Sequence, residues 1–487
     1  MKALRIDSDS FEIRTPQRYW ALALWLLAAL GTIYCTLGID LFSGKVDVSQ
    51  DLITPLEYYP VWILTLICFI CSLSLFPPKI GYKWGLAIGS IAIIWLGSEA
   101  IRIFTIPTET TQLVFNNLYE GSPIISLNFA ITRTDQLIDF SDEVVWVFLL
   151  VTLFTQGKEM IGSRGTLIIL WIVIGGAFLC ALSTLLPAKI WQYQSVIDYF
   201  TGKTERMPTL TGLFSNENSL ALALFIGILA CLLLNCYRPR AYVYLPIALF
   251  FTAMIVMTVC KTILLLLAIF LPIYWIWRCA INFRSHPIAS GLMLGLLLVT
   301  STVLLSLLLT LGKNEGNIFH AIVKAIENMV TDAKGTGGTR VILWKKSMTF
   351  YAYSPFRMIF GWGFRASEQL LLAFQQELVQ ANPFYSPVRT THSGLLEITV
   401  RYGALGLLFF MLLTGILIRY VIKLARNGRE DLAVGCAFVF AVMICYSADE
   451  SIIPFYRSGS AILTMSVSVL PIIGFSSIVK RENRVII

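Results

Sequence analysis

The feature that most constrains this chain is a succession of apolar runs, each about as long as a lipid bilayer is thick. Residues Leu222 to Leu234 are apolar at every position, and comparable stretches recur from end to end. A hydrocarbon layer of roughly 30 Å takes about 20 residues of helix at 1.5 Å rise per residue. Lipid offers the backbone no hydrogen-bond partner, so each run must satisfy its own N–H and C=O groups within a helix. A β-barrel would instead show weakly alternating segments of about ten residues. The composition agrees: of 487 residues 57% are hydrophobic and 14% charged, against about 45–50% and about 25% in soluble globular chains. A soluble enzyme, a disordered chain and a secreted disulfide scaffold are thereby excluded.

The expected fold class is all-α, a polytopic membrane protein of about twelve transmembrane helices. The runs fall at Tyr19 to Ile39, then near 60–77, 84–105, 143–157, 165–187, 217–237, 241–260, 262–280, 288–311, 403–423, 432–449 and 458–479. The first is too long for a signal-peptide core and lacks a small-x-small cleavage pattern, which makes it an uncleaved span. Lys+Arg exceed Asp+Glu by 37 to 29, a formal net charge of +8. In a soluble protein that balance would suggest nucleic acid, but here it first reports topology. Lys79 and Lys83, Lys158 and Arg164, Arg238 and Arg240, Arg278 and Arg284, Lys423, Arg426 and Arg429, and Lys480, Arg481 and Arg484 all fall in alternate connections. Asp40, Asp47, Asp51 and Glu57 make the first opposite loop acidic. Both termini are therefore expected on the cytoplasmic side, with no nucleic-acid partner. The ten cysteines lie in or beside apolar runs and read as packing residues. Cys68 and Cys71, although spaced as C-x-x-C, sit within a span.

The chain reads as a single integral membrane domain, 1–487, with one long external loop, 312–402, between spans nine and ten. Connections longer than about 15 residues are usually functional or disordered, so the candidate active site is sought there. Ile318, Ile322, Ile326 and Val330 recur every four residues, predicting an amphipathic helix over 316–333 at the interface. Thr339 is placed to N-cap a second helix ending before Pro355, and 366–380 a third. Smaller external loops cover 106–142 and 188–216.

Of three histidines, His286 and His320 have undistinguished settings, whereas His392 sits in Arg389-Thr390-Thr391-His392-Ser393-Gly394, where the loop enters a helix that continues into the tenth span. A helix N-terminus disfavours imidazolium, so a neutral His392 able to accept a proton is expected, alongside the plainer reading of a hydrogen-bonded interfacial histidine. Arg340 follows Gly335-Thr336-Gly337-Gly338-Thr339. Such a stretch lets backbone N–H groups approach an anion while the guanidinium adds paired donors, or else makes a simple turn with Arg340 capping locally. No P-loop Gly-Lys-Ser/Thr is present, and Arg340 occupies the place of the third glycine of G-x-G-x-x-G. Lys261 lies in the tight hairpin Val259-Cys260-Lys261-Thr262, where an ammonium reaches the interface by snorkelling and could meet a phosphate. Asn216 and Asn218 enter the sixth span as helix-to-helix donors or cavity lining. Asp449 and Glu450 read mainly as partners of Arg457.

These residues carry a resemblance. His392-Ser393, nine residues, then Gly403-Ala404-Leu405-Gly406 is similar to the H-[NSQ]-x9-G-x-x-[GTY] pattern of bacterial O-antigen ligases, matching at every specified position. The broader group of lipid-linked polysaccharide polymerases shares the region. Gly212 to Asn218 resembles that family's G-x-F-x-x-x-N entry to a span, Gly338-Thr339-Arg340 with Trp344 its G-x-R-x-x-x-W, and Gly361-Trp362-Gly363 its G-x-G turn. The detailed likeness covers roughly 210–410. Where the family has a Ser-Arg pair in the external hairpin, this chain has Cys260-Lys261, which keeps the charge and loses the planar fork.

The resemblance implies a metal-independent membrane glycosyltransferase without cofactor. The donor would be a glycan on undecaprenyl diphosphate. The acceptor would be lipid A core for a ligase, or another lipid-linked glycan for an O-antigen, capsule or exopolysaccharide polymerase. A chain-length regulator is a candidate partner. It also implies His392 as general base and Arg340 as stabiliser of the leaving diphosphate, with Lys261, Arg389, Asn218 and Gly338 binding substrate at a periplasm-facing site. A secondary transporter is the rival reading, since twelve spans with both ends inside is a common transporter layout. Against it, the connection after span six, Tyr237 to Ala241, is minimal and the halves show no repetition.

Overall fold

The structure is a computed structural model that describes residues 16–37, 55–75, 82–116, 124–129, 131–201, 210–212, 217–258, 260–282, 336–381, 391–448 and 461–478, with a few single positions between them. In chain order the elements are α1 (Pro16–Leu37), α2 (Pro55–Leu75), α3 (Tyr82–Phe104), β1 (Thr111–Asn116), β2 (Ile124–Phe129), α4 (Arg133–Met160), α5 (Gly162–Ser183), α6 (Trp191–Phe200), α7 (Glu217–Tyr237), α8 (Ala241–Thr258) and α9 (Lys261–Asn282). After these come α10 (Thr336–Tyr351), α11 (Pro355–Phe360), α12 (Phe364–Ala381), α13 (Gly394–Arg426), α14 (Glu430–Ser447), α15 (Ala461–Ser468) and α16 (Leu470–Phe475).

The chain is an all-α polytopic membrane protein. Six described helices are long and apolar enough to cross a bilayer, and shorter apolar helices cover Tyr242–Thr258, Thr262–Trp277 and Ala461–Phe475. Each expected span coincides with a helix except the ninth, 288–311, which lies largely outside the described residues. The predicted helix 316–333, His286, His320, Arg389, Asp449 and Glu450 also lie outside them. The last span is broken at Val469, where α15 gives way to α16 beginning with Pro471 at its second position; a proline there lacks the N–H that a continuous helix would need.

α7 forms the centre of the bundle, 89% of it buried, as expected of a helix apolar on every face. It packs against α5, α8 and α14. α4 starts at a capping box, in which Thr132 Oγ1 accepts from the Asp135 N–H and Asp135 returns a bond to the Thr132 N–H. It then carries buried Gln136, Asp139, Asp142 and Glu143 before turning apolar. Gln136, Asp142 and Glu143 find partners across the bundle. Gln136 Nε2 donates to the carbonyls of Ile103 and Ile106 at 3.2 and 2.9 Å, Tyr58 pairs with Asp142, and Trp95 Nε1 donates to Glu143 Oε1 at 2.9 Å.

One end of the bundle carries a second, smaller core. The expectation for 106–142 was a plain loop, but its middle forms an antiparallel β-hairpin in which Leu113 faces Leu127 and Phe115 faces Ile125. Leu113, Phe115, Leu127 and Phe129 are buried against Leu343 and Phe350 of α10, Trp362 in the turn before α12, Leu370 and Phe374 of α12, and Val400 of α13. Leu113 and Phe115 are buried while Gln112 and Val114 are exposed, the period-two pattern of a strand, but in the sequence it shows only as the short apolar run Leu113-Val114-Phe115. The spans on either side mask it.

Candidate functional site

α13 begins just after His392 and is bent at Gly403, whose φ of 65° and ψ of −160° are not helical. The bend takes the carbonyls of Val400 and Arg401 out of the helical ladder, and buried carbonyls need donors. The turn Gly361-Trp362-Gly363 supplies them: the Trp362 N–H donates to Val400 O and the Gly363 N–H to Arg401 O, both at 2.9 Å. The two backbones meet so closely that a Cβ on Gly361 would lie 2.6 Å from Tyr402 N, and one on Gly403 would lie 2.7 Å from Gly361 N. Gly361, with φ 75°, and Gly403 are thus required by one another. The glycines of two separate motifs, 42 residues apart in sequence, form a single joint.

Arg357 locks the turn from behind. Its guanidinium donates to the carbonyls of Gly361, Arg102 and Thr105 at 3.2–3.3 Å and lies over the Trp362 ring at 4.5 Å. Burial, with the Arg102 charge beside it, pulls its pKa down to about 10, so it remains a cation near pH 7. Arg102 in turn pairs with Glu99 and stacks over Tyr402 at 4.6 Å, and Tyr402 OH donates to Glu143 Oε2 at 3.4 Å. The joint therefore rests on the polar ends of α3 and α4.

His392 stands two residues before the helix, with Ser393 as N-cap, and takes a left-handed φ of 52°. That conformation costs a non-glycine residue roughly 1–2 kcal/mol, and hydrogen bonds on both flanks hold it. The Thr391 N–H donates to Glu397 Oε1 at 2.6 Å, Thr391 Oγ1 donates to Ser393 O at 2.9 Å, and the Ser393 N–H reaches Thr391 Oγ1 at 3.3 Å. Thr391, Ser393 and Glu397 are buried whereas His392 is partly exposed. Glu397 forms an ion pair with Arg401 one turn on; Arg401 also faces Glu368 of α12 at 3.8 Å and stacks over Phe364 at 3.9 Å.

The arginine helix is tied to the same peptide. Trp344 Nε1 donates to Thr391 O at 2.8 Å, and Arg340, four residues earlier, lies on the same face of α10 one turn away. The structure thus brings together the helix of Arg340 and the segment of His392. One local expectation is corrected. Thr339 does not N-cap its helix, because α10 already begins at Thr336 and takes in Gly337 and Gly338. Glycine costs about 1 kcal/mol in a helix, and buried Leu343, Ser347 and Phe350 on the same helix outweigh it. Gly338 therefore belongs to a helical first turn rather than to an anion-cradling loop.

The connection between α8 and α9 is as tight as expected, and Lys261 is the first residue of α9. Asn218 is partly exposed on the first turn of α7. A Cβ on Gly435, near the start of α14, would meet Cys236, near the end of α7. α13 and α14 are antiparallel neighbours, as are α7, α8 and α9 in turn, so the starts of α7, α9 and α13 share one end of the bundle. His392, Arg340, Lys261 and Asn218 are therefore on the same side. Sequence reasoning missed Glu397, Arg401, Glu368 and Arg357. The i,i+4 spacing of Glu397 and Arg401 was a usable signal, but Glu368 and Arg357 reach the site only through tertiary folding. Between α3, α4 and α13 lies a shallow apolar crevice lined by Trp95, Val147, Phe154 and Leu413 among others.

The described residues thus form a membrane helix bundle bearing at one end a histidine ahead of a kinked span, an arginine helix tied to the peptide before that histidine, and a buried acid behind it. Residues 246–411, from the interior of α8 to the middle of α13, match the O-antigen ligase family. The matched stretch, about a third of the chain, contains Lys261, Arg340, His392 and both glycines of the joint. A comparison with curated proteins gives no match. The family is one of membrane glycosyl-transfer enzymes of the ligase and polymerase type.

Proposed function

We propose that this chain moves a glycan from undecaprenyl diphosphate onto an acceptor hydroxyl at the periplasmic face of the bacterial inner membrane, with lipid A core as acceptor. The observation that carries the reading is the Trp344 to Thr391 hydrogen bond, which holds the helix of the only arginine in the family-like G-x-R-x-x-x-W stretch against the peptide preceding His392. Orientation follows from the basic connections at the opposite end of the bundle, such as Arg238 and Arg240 after α7.

The transfer needs a nucleophile and a stabilised leaving group. A ring nitrogen of His392 takes the proton of the acceptor hydroxyl as that oxygen bonds to the anomeric carbon, which requires an approach of about 2.6–3.2 Å. The bond from that carbon to the phosphate oxygen breaks and its electron pair leaves with the diphosphate. Arg340, the N–H groups in the first turn of α10 at Gly338, and Lys261 and Arg389 offset the charge that develops there. Asn218 binds the glycan from the neighbouring helix start. The polyprenyl tail runs along the lipid side, into the crevice at Leu413.

The test is reconstitution of the purified protein with undecaprenyl-diphosphate-linked repeat units, alone and with lipid A core, with products read by gel and mass spectrometry. Transfer that requires lipid A core supports the ligase. A ladder from donor alone makes the chain a polymerase with the same chemistry and a different acceptor, and a dependence of its length on an added chain-length regulator would identify that partner. Substrate counterflow without sugar transfer would overturn the enzyme reading in favour of a secondary transporter.

A further inference from the structure

We propose that Glu397 is a positioning residue that sets the direction of the His392 imidazole by gripping the peptide immediately before it. This rests on the transferase reading above. A side chain in the left-handed region projects differently from one in any other backbone well, so whatever fixes the peptide on either side of His392 also fixes where its ring points. The Thr391 N–H is held by Glu397 Oε1 at 2.6 Å, and the peptide between Thr391 and His392 is held through its carbonyl by Trp344 Nε1 at 2.8 Å. Thr391 Oγ1 then bridges across His392 to the Ser393 backbone.

Glu397 is itself aimed. It lies on the first turn of α13, and Arg401 one turn later pairs with it while being braced by Glu368 and the Phe364 ring. Arg401 is also the residue whose carbonyl receives the Gly363 N–H at the joint. The chain of contacts therefore runs from the kink at Gly403 through Arg401 and Glu397 to the His392 backbone. A carboxylate with these two partners accepts from one side and is oriented from the other, which is the arrangement of an orienting group behind a base.

The reach of the side chain and its charge can be separated. Glu397→Gln keeps an oxygen at the same distance for the Thr391 N–H, and Glu397→Asp keeps the charge but withdraws it by one methylene. With the full-length protein in proteoliposomes and the undecaprenyl-linked donor, Gln, which keeps the acceptor for the Thr391 N–H but gives up the ion pair with Arg401, should turn over within about tenfold of the unsubstituted protein. Asp should lose on the order of 10²-fold in kcat with donor KM unchanged, the scale of a 1 Å misplacement of a catalytic group. Equal rates for Asp and the unsubstituted protein, a Gln variant as slow as Asp, or a loss carried by KM would each overturn the assignment. His392→Ala is measured alongside. If it retains transfer, the transferase reading falls; if it is inactive while Asp is not, only the role of Glu397 falls. Hydrogen exchange at the Thr391 amide, which needs no donor, should accelerate in Asp and stay slow in Gln, and the same exchange in all three would remove the grip itself.

Discussion

Replacing Gly403 by alanine should detach the external turn from the membrane helix while leaving the bundle intact. At φ 65° and ψ −160° the residue occupies a region essentially reserved for glycine, costing about 1–3 kcal/mol for a Cβ-bearing residue. The new methyl would also lie 2.7 Å from Gly361 N, and the atoms it meets are backbone with no side-chain freedom to yield. Retreat of the turn breaks the two 2.9 Å bonds from Trp362 and Gly363, each worth about 1 kcal/mol. The sum is about 3–5 kcal/mol against local opening, or about 10²–10³·⁵ in the opening equilibrium at 1.4 kcal/mol per decade. The spans themselves need not unfold, because opening can be local. Hydrogen exchange at the Trp362 and Gly363 amides is the assay, with Gly415→Ala as control, since Gly415 lies on the same helix with open space around it. Membrane yield should be unchanged, protection at the two amides should fall by that factor, and transfer should be lost. Unaltered protection in Gly403→Ala would refute the reasoning that the two glycines form one joint.

His392→Ala and Arg340→Ala should each abolish transfer while thermal unfolding stays within a few degrees; near-normal glycan output from either would count against the proposed chemistry. Trp344→Phe retains the ring but loses the bond to Thr391 O, about 1 kcal/mol, and transfer should slow several-fold in a steady-state assay, with an unchanged rate arguing that the bond plays no part. At Lys261, arginine should be tolerated and alanine should raise the donor KM; equal donor affinity in the alanine variant would remove the residue from the site. Leu413→Trp, which fills the crevice beside Trp95, should raise KM for a full-length polyprenyl donor and leave a short-tailed analogue unaffected.

The membrane bundle was legible because its physics is one-dimensional: a run such as Leu222 to Leu234 can only be a helix in lipid, and its partners matter little to that conclusion. Arg340 and His392 were singled out by motif spacing, and the structure ties their segments together through the bond from Trp344 to the Thr391 carbonyl. The rest depends on contacts that no local window contains. The hairpin over Thr111–Asn116 and Ile124–Phe129 is stabilised by Trp362 and Phe350 from far along the chain. Glu143 reads in sequence as a charge at the edge of a span, and becomes intelligible only when Trp95 and Tyr402 are seen to satisfy it. Thr339 misled because a cap residue beside glycines is a good local start signal, and packing of α10 overrode it.

The joint at Gly361 and Gly403 also bears on how such a protein can be recombined. Because the external turn donates its backbone to carbonyls of a membrane helix, and Arg357 stitches it to the last turn of α3, the loop is not a removable lid on an independent scaffold. A graft that exchanges only 336–391 for the corresponding stretch of another chain would import one half of a fitted pair. Specificity should travel between chains only in blocks that include the ends of α3 and α4 together with the first turns of α13, and a library built on those boundaries should yield functional chimaeras far more often than one cut at the membrane surface.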